Sequence, residues 1–391
     1  MKNLTQNCNL LGQMAPSATL VISAKAKEMK AQGIDVCSMS AGEPDFDTPL
    51  AIKNACINAI NQGKVRYLAS SGLPELKEEI IKKFANNGII TNKENIIIST
   101  GAKFAIFQTI MSLCSDQDEV ILISPYWLSY PEMVKASGAK IVEVKTSMEN
   151  NFEPQKQDLE KAISDKTKLI IVNSPNNPTG AVYSKQTLEM IAELAVKHNI
   201  MVLSDEIYEK LVYNNQKHIS IASLNPQIAE LTITVNGFSK AYAMTGWRLG
   251  YLTAPQWLAQ RISSLQSHAT SNATSFVQYA AITALKGDAD NDVQQMISAF
   301  ASRKELICSL LKDITQIKYN NPQGAFYVLC DISQSGLSAD EFAKELLEKH
   351  NLAVIPCTAF GAPNCIRLSY ACSEANIKEA IKRLKAFMSQ M

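Results

Sequence analysis

The feature that most constrains the fold is a theme repeated through the middle of the chain. A short apolar run is followed by a turn and then by a segment with helical periodicity. Several runs, such as KLIIV and MVL, are apolar without alternation, which is typical of strands covered on both faces. The theme predicts an α/β fold with a mostly parallel sheet sandwiched by helices. Strands are expected at Asn95 to Ser99, Glu119 to Ser124, Lys140 to Val144, Lys168 to Val172, Ile200 to Ser204, Leu231 to Val235 and Arg248 to Thr253.

Segments with helical periodicity lie between and before these runs. Apolar spacing over Leu188 to Ala195 gives one stripe that would face the sheet. In SGLPELKEEIIKKF, Pro74 suits the first helical position and precedes a second apolar face. These patterns predict helices that cover the sheet. The second face consists of Leu73, Leu76, Ile80 and Phe84.

The pattern changes after about Lys286. A long helix is predicted there, then a helix over Ala339 to His350, the runs NLAVIP and CIRLSYA, and a final helix. A chain of 391 residues usually exceeds one hydrophobic core. We therefore expect a large domain over 48–286 and a smaller α+β domain built from 1–47 and 287–391.

Composition excludes several classes of function. A net charge of +1 gives no general attraction to nucleic acid or to an anionic membrane. Nine scattered cysteines without a CxxC pair, and four distant histidines, favour reduced cytosolic thiols and give no support for a metal site. The N-terminus shows no signal-peptide core, and no run approaches the roughly 20 apolar residues of a membrane span. We expect a cytoplasmic protein that acts on small molecules.

The stretch NGFSKAYAMTGWRLG carries the most chemical information. An isolated loop lysine is usually solvated, but small Gly237, Ser239 and Ala241 leave room for a bulky group beside Lys240. A lysine in a partly desolvated pocket supplies the neutral amine that Schiff-base chemistry needs. Arg248 has the geometry to hold a phosphate with two hydrogen bonds. The stretch therefore indicates covalent chemistry at Lys240.

Two further clusters follow predicted strands. VNSPNNPTG, over Val172 to Gly180, lies where ligands of open α/β sheets bind, although by itself it is only a turn. SDEIYEKLVY places Asp205 directly after the strand that ends at Ser204, with Tyr208 three residues on. Alone, Asp205 would be interpreted as a helix N-cap.

Together these clusters resemble the pyridoxal-phosphate (PLP) dependent aminotransferases of fold type I, class I, in the bacterial aspartate aminotransferase group. The resemblance covers nearly the whole chain. It implies a large domain with a mostly parallel seven-stranded sheet, a smaller α+β domain, PLP as cofactor and a homodimer with shared active sites. Further motifs that carry it are SAGEPDFDTP, RYLASSGLPELK, STGAKFAIF, SPYWLSYPEM, HATSNATS, GAFYVL and CIRLSYA.

The resemblance implies that five residues contact the cofactor around its ring. Lys240 would form the Schiff base with PLP, and Asp205 would face the pyridine nitrogen and keep it protonated, so that the ring accepts electrons. Tyr208 and Asn177 would bond the phenolate oxygen and lower the pKa of the Schiff base. Trp127 would lie on the ring face; without the resemblance it is equally a core aromatic residue.

The resemblance also implies which residues bind the cofactor phosphate. Arg248 and Ser239 would bind it together with the backbone N–H groups of Gly101 and Ala102. Those two residues lie at a predicted helix start, where unpaired N–H groups and the helix dipole favour anions.

The remaining implied residues concern substrate and dimer. Arg367 would grip the substrate α-carboxylate as a fork, with the backbone of Gly42 against the substrate. Tyr67 would reach the phosphate of the neighbouring subunit, near Thr270 to Asn272. In the implied ping-pong reaction the lysine freed by the amino acid moves the proton from the substrate Cα to the cofactor's C4′, so it serves as tether and as general acid and base.

Substrate choice depends on what meets the substrate side chain, and the sequence offers Lys103 in the STGAKF turn. The resemblance implies that this lysine meets the distal carboxylate, as in the aspartate-using group; the alternative is a helix-start lysine in solvent. The expected pair is L-aspartate and 2-oxoglutarate, giving oxaloacetate and L-glutamate. Alternatives are an aminotransferase for alanine or aromatic amino acids, or a PLP-dependent C–S lyase, which would release pyruvate without a keto acid acceptor. A regulator on this fold would carry an added DNA-binding domain. Relatives that accept prephenate have a basic residue where this chain has Ala15, so weak or no prephenate turnover is expected.

Overall fold

The computed structural model describes residues 14–214 and 216–391. Residues 1–13 of the N-terminal segment in which no signal peptide is predicted, Cys8 among them, lie outside the described residues. The eight cysteines inside them are free thiols. Within the same ranges, no helix is long and apolar enough to cross a membrane.

The strands of the described residues form sheets of seven, four and two strands. In chain order they are β1 (Cys37–Ser38), β2 (Ile96–Ser99), β3 (Glu119–Ser124), β4 (Lys140–Lys145), β5 (Thr167–Asn173), β6 (Met201–Asp205), β7 (Thr232–Gly237), β8 (Gly250–Thr253), β9 (Lys318–Tyr319), β10 (Tyr327–Asp331), β11 (Leu352–Ala353), β12 (Ile355–Pro356) and β13 (Cys365–Ser369).

The seven-stranded sheet has the order β2-β8-β7-β6-β5-β3-β4. Its strands run parallel except β8, which pairs antiparallel with both β2 and β7. Each predicted run forms one of these strands, so the prediction of a mostly parallel sheet is confirmed. Several ends differ by one or two residues; for example, Asp205 is the last residue of β6, and β8 begins at Gly250, after Arg248, whose backbone has a left-handed φ of 53°.

Both faces of this sheet are covered, as the unalternating runs predicted. Leu169 and Ile171 of β5 pack into one apolar cluster, whereas Ile170 and Val172 pack into another on the opposite face. All four are buried, and complete burial of such a side chain contributes roughly 1.5–3 kcal/mol. Burial on both faces therefore explains why β5 lacks a polar side.

Helices surround the sheets, and the helix predicted at Pro74 buries Leu76, Ile80 and Phe84 as expected. Ser338 and Glu341 form a capping box that fixes the start of the helix predicted at Ala339. The α-helices of the described residues are α1 (Ala18–Ala31), α2 (Leu50–Asn61), α3 (Pro74–Asn86), α4 (Ala102–Leu113), α5 (Ser129–Ser137), α6 (Lys156–Ala162), α7 (Lys185–His198), α8 (Pro226–Ala229), α9 (Gln256–Ala269), α10 (Ser275–Leu285), α11 (Asp290–Leu311), α12 (Ala339–His350) and α13 (Glu374–Met388).

Two smaller sheets use the C-terminal part of the chain. The four-stranded sheet has the order β12-β13-β10-β9, and β1 pairs in parallel with β11. The run NLAVIP, expected as one strand, is divided between these sheets as β11 and β12. The pairing of β1 with β11 joins the N-terminal part of the chain to this C-terminal block.

The topology of the large sheet places the carboxyl ends of five strands, which carry small or polar residues, at one edge. Ser99, Ser124, Asn173, Asp205 and Gly237 are the last residues of five strands, β2, β3, β5, β6 and β7. Because β8 runs in the opposite direction, it begins at the same edge. Ligands of such sheets bind at the carboxyl ends of the strands. The loops that follow these strands therefore form the expected position of the site.

Candidate active site

A cavity of about 250 Å³ lies at this edge. Its lining includes every site residue proposed from the sequence except Gly101 and Tyr67. The residues brought together are Gly42, Ala102, Lys103, Trp127, Asn177, Asp205, Tyr208, Ser239, Lys240, Arg248 and Arg367.

Lys240 follows the carboxyl end of β7 and points into the cavity. Its Nζ donates a hydrogen bond to the carbonyl oxygen of Gly42 at 2.6 Å. Burial lowers the pKa of Lys240 to about 8, with the charges of Arg367 and Arg248 acting in the same direction and that of Glu43 opposing them. The lowered pKa gives a larger neutral fraction than an ordinary lysine has, and the neutral amine is the nucleophile in Schiff-base formation.

Asp205 is a buried carboxylate at the end of β6. Its Oδ2 accepts a hydrogen bond from the Tyr130 hydroxyl at 2.7 Å, and its Oδ1 accepts one from the Ile207 N–H at 3.2 Å. Burial raises the pKa of Asp205 to about 6, and these two hydrogen bonds act against the rise. The site thus holds a carboxylate, largely removed from water, that is suited to pair with a cationic N–H group.

An anion site is built where α4 begins. Gly101 has a φ of 89°, and a Cβ there would lie 2.7 Å from Nη2 of Arg248. At Gly250, a Cβ would overlap the amide nitrogen of Ala102. These two glycines therefore allow a helix N-terminus and a guanidinium to approach each other closely. Both groups attract anions.

Arg367 lies in β13 and is 2% exposed. Its Nη1 donates to Oδ1 of Asn177 at 2.9 Å, and its Nη2 donates to the carbonyl oxygen of Ser40 at 3.2 Å. Its Nε is buried without a hydrogen-bond partner among the described residues. The guanidinium carbon lies 4.3 Å from the ring centroid of Tyr327. These contacts hold the cation in one orientation at the cavity wall.

Two tyrosines meet beside Arg367. The hydroxyl oxygens of Tyr208 and Tyr327 are 2.9 Å apart, and the rings are perpendicular, at an interplanar angle of 82°. Burial raises the pKa of Tyr208 well above its usual value. Tyr208 is therefore neutral at physiological pH and keeps a hydroxyl proton to donate.

Lys103 and Trp127 form another part of the lining. Lys103 is the second residue of α4 and not part of a turn, and its Nζ is 4.8 Å from the ring centroid of Trp127. Although the side chain is partly exposed to solvent, loss of water around the amine and the charge of Arg248 lower the pKa of Lys103. Trp127 itself packs edge-on against Tyr130, with ring centroids 5.3 Å apart.

Tyr67 lies apart from this cavity and is 87% exposed. The backbone N–H of Leu68 donates to Oδ1 of Asn272 at 3.3 Å. The loop that carries Tyr67 is thus attached to the segment Thr270 to Asn272.

Several residues of the site were not found from the sequence. Tyr327, which lines the cavity, and Tyr130, which bonds Asp205, lie within the motifs GAFYVL and SPYWLSYPEM, but the sequence assigned them no role. Asn173 ends β5, and its Oδ1 accepts from the Asn177 N–H at 2.9 Å. The start of α1 also contributes to the lining; its residues there, all within or next to the Pro-Ser-Ala-Thr segment, are Ser17, Thr19 and Leu20.

Charge is distributed unevenly around the cavity. Lys103, Lys240, Arg248 and Arg367 line it, whereas Asp205 is the acidic residue among the lining side chains that the structure describes. The excess of cations suits anionic ligands.

The model of the family described as "Aminotransferase class I and II" matches residues 34–384. The chain belongs to this family.

Individual proteins agree with this assignment. The aminotransferase is 47% identical to "Aspartate aminotransferase" from Bacillus sp. (strain YM-2) over 386 residues, which are 97% of this chain and 98% of the relative. It is 44% identical to "Probable aspartate/prephenate aminotransferase" from Aquifex aeolicus, over 97% of this chain and 98% of the relative. The solved structure "Aspartate aminotransferase from Thermus thermophilus with maleate" superposes with a TM-score of 0.93 at 42% identity, covering 96% of this chain and 98% of that chain.

This family implies PLP as cofactor, and the residues present fit it. The cofactor has an aldehyde, a basic ring nitrogen and a phosphate. The aminotransferase offers a lysine of lowered pKa at Lys240, a buried carboxylate at Asp205 and the anion site at Arg248 and Gly101. Each chemical group of the cofactor therefore has a matching group in the same cavity.

Proposed function

We propose that this aminotransferase exchanges amino groups between L-aspartate and 2-oxoglutarate in a ping-pong reaction, giving oxaloacetate and L-glutamate. The observation that carries the proposal is that Arg367 and Lys103 line the same cavity. A dicarboxylic substrate has two anionic groups, and one cation is available for each. The names of the relatives, and the dicarboxylate maleate named for the Thermus structure, support the same substrate class.

PLP is the proposed cofactor, and when bound it supplies a ring that accepts the electrons left by the substrate Cα proton. Lys240 would hold it covalently and, once released by substrate, its Nζ would take the Cα proton and return it. Asp205 would pair with the ring nitrogen. Tyr208 and Asn177 would donate to the phenolate oxygen. Trp127 would cover the ring face.

The phosphate would be held at the anion site by Arg248, Ser239 and the N–H groups of Gly101 and Ala102. Arg248 and the helix N-terminus orient the cofactor without taking part in proton transfer. Tyr67 is proposed to reach the phosphate bound by the partner subunit.

The substrate would be bound mainly through its two carboxylates. Arg367 would hold the α-carboxylate with Gly42 packed against it, and Lys103 would hold the distal carboxylate. Because Arg367 is rigidly packed and Lys103 is partly exposed, the first should serve every amino acid and the second should select the acidic ones.

Assembly and location complete the proposal. The apolar side chains of Leu50, Ile57 and Ile60 on α2 and of Val65 are exposed, and they shortly precede exposed Tyr67 in the sequence. Exposed apolar side chains of this kind support a homodimer with shared active sites. We propose a cytoplasmic enzyme with a large domain over 48–286 and a small domain of 1–47 and 287–391. Sedimentation should give twice the mass of one chain.

The substrate proposal is tested by Lys103→Ala. Loss of a charged hydrogen bond worth roughly 1.5–3 kcal/mol should lower kcat/KM for aspartate about 10- to 150-fold, and kcat/KM for alanine should stay the same. Lys168→Ala is a matched control, since Lys168 is exposed near the amino end of β5, the opposite edge of the sheet. An equal effect of Lys103→Ala on both substrates would remove Lys103 as the selector.

A spectroscopic experiment tests the enzyme class separately. The visible band of the PLP-loaded protein should bleach when L-aspartate is added alone and return when 2-oxoglutarate follows. A band that responds only to another amino acid would retain the aminotransferase and reject aspartate. Absence of a band after PLP addition would contradict the cofactor assignment.

A further inference from the structure

The hydrogen bond between Tyr208 and Tyr327 has no assigned role in the proposed chemistry. Tyr327 is the first residue of β10, distant in sequence from Tyr208, and it is fully buried. Its hydroxyl lies 2.9 Å from that of Tyr208, and its ring lies beneath the guanidinium of Arg367, 4.3 Å away. Tyr327 thus contacts one residue proposed to bind the cofactor and another proposed to bind substrate.

The direction of this hydrogen bond follows from counting protons. Each hydroxyl has one proton to donate. If Tyr208 donates its proton to the phenolate oxygen of the cofactor, it has none left for Tyr327. The bond between the two tyrosines must then be donated by Tyr327 and accepted by the Tyr208 oxygen. A hydroxyl that accepts one hydrogen bond becomes a stronger donor in the next.

We propose that Tyr327 is a positioning residue that donates its hydroxyl proton to Tyr208 and thereby strengthens the bond that Tyr208 gives to the cofactor. The inference rests on the proposed function, since it requires Tyr208 to face the phenolate oxygen of PLP. It assigns Tyr327 a task that its ring alone cannot perform. Without the hydroxyl, Tyr208 would lose both its polarising donor and the contact that fixes its orientation.

The ring and the hydroxyl of Tyr327 have separate tasks. The ring supports Arg367 by a cation–π contact, and Tyr327→Phe retains this contact. The hydroxyl serves Tyr208 alone in this scheme. The substitution should therefore leave the KM for aspartate nearly unchanged while it alters the electronic state of the cofactor. A purely structural role of Tyr327 would not leave the KM unchanged while altering the electronic state of the cofactor.

The measurement is the pH at which the visible band of the PLP-loaded protein changes. A hydrogen bond donated to the phenolate oxygen favours the deprotonated Schiff-base nitrogen. A weaker hydrogen bond should therefore move the midpoint of this pH titration to a higher pH. Since cooperative strengthening is about 10–30% of one bond, Tyr327→Phe should raise the midpoint by roughly 0.5 pH unit. The groups that act electrostatically on Tyr327 are Arg367, Tyr208 and Glu43, and Tyr327→Phe replaces none of these residues.

A double-mutant cycle tests whether the effect passes through Tyr208. Tyr208→Phe alone should move the midpoint further than Tyr327→Phe. In the Tyr208→Phe background, Tyr327→Phe should then have no additional effect. Tyr370→Phe is the matched control: Tyr370 is a fully buried tyrosine just after β13 whose hydroxyl faces the carbonyl oxygen of Ala325 at 3.4 Å, and its loss should leave the midpoint in place.

The outcomes separate this inference from the proposed function. An unchanged midpoint in Tyr327→Phe, or the same shift with and without Tyr208, would overturn the role of Tyr327 while the wild-type reaction with aspartate stands. If the wild-type protein forms no visible band with PLP, the proposed function fails first. Binding of PLP to the cofactor-free protein, followed by fluorescence, shows whether Tyr327→Phe still folds and loads.

Discussion

Removing the hydroxyl of Tyr130 should change the acidity of Asp205. Tyr130 is 1% exposed and lies in the first turn of α5. It donates to Oδ2 of Asp205 at 2.7 Å, so it stabilises the charged form of that carboxyl. Tyr130→Phe keeps the ring, including its edge-on contact with Trp127, and removes only this donor.

The size of the effect follows from the bond that is lost. Burial already raises the pKa of Asp205 to about 6, and the Tyr130 bond opposes that rise. A hydrogen bond to a charged group is worth roughly 1.5–3 kcal/mol, and about 1.4 kcal/mol corresponds to one pKa unit, so the pKa should rise by about 1 to 2. Asp205 would then be largely protonated at neutral pH and unable to pair with a protonated ring nitrogen. The acidic limb of the rate profile should move upward with it.

Carbon-13 NMR of the aspartate carboxyl groups in the cofactor-free protein measures this pKa directly. The resonance of Asp205 is assigned by its absence in Asp205→Asn. Tyr251→Phe is the control, because Tyr251 is a buried tyrosine of β8 that packs against Phe84 and Phe238. If Asp205 titrates at the same pH with and without Tyr130, or if activity falls equally at every pH, the argument is wrong.

Other predictions follow from the same site. Asp205→Asn should abolish amino transfer yet stabilise the cofactor-free protein by about 1–3 kcal/mol near pH 8 and not near pH 4. The carboxyl costs stability progressively as pH rises from its ordinary pKa of 3.8 to its raised pKa of about 6; thermal unfolding at both pH values measures this. Gly250→Ala should weaken PLP binding more than about 10-fold through overlap with Ala102, unlike Gly246→Ala, where space is open. With Ala15 before the Pro-Ser-Ala-Thr segment, prephenate turnover should be far below that of aspartate, and similar rates would contradict this.

Much of the fold could be predicted because its signals are local. Runs such as KLIIV are buried on both faces wherever they pair, so their strand character does not depend on distant partners. Asp205 ends β6 and Lys240 lies three residues after the end of β7, and the common edge of a parallel sheet brings them together. The start of β8 was less predictable, since nothing in the run of residues indicates the left-handed φ of 53° at Arg248.

The contacts that tune the site could not be predicted in this way. Tyr130 bonds Asp205 across 75 positions of the chain, and Tyr208 bonds Tyr327 across 119. No spacing of residues along the sequence indicates that the members of such a pair meet. Gly250 is similar, because its importance arises from the close approach of Ala102, which lies in another element. The missed residues are those whose function is given by tertiary contact.

These two hydrogen bonds suggest how the site divides its tasks. Asp205 and Tyr208 would contact the cofactor and are fixed by the chemistry that it needs. Tyr130, from α5, and Tyr327, from β10, each reach one of them from a different element and alter its donor or acceptor strength. Because Tyr130 and Tyr327 do not touch the cofactor in this scheme, either can be replaced while Asp205 and Tyr208 keep their contacts with the cofactor. The acidity of the ring-nitrogen partner and the strength of the phenolate bond should therefore be separately adjustable, and the two phenylalanine variants should move different parts of the pH profile.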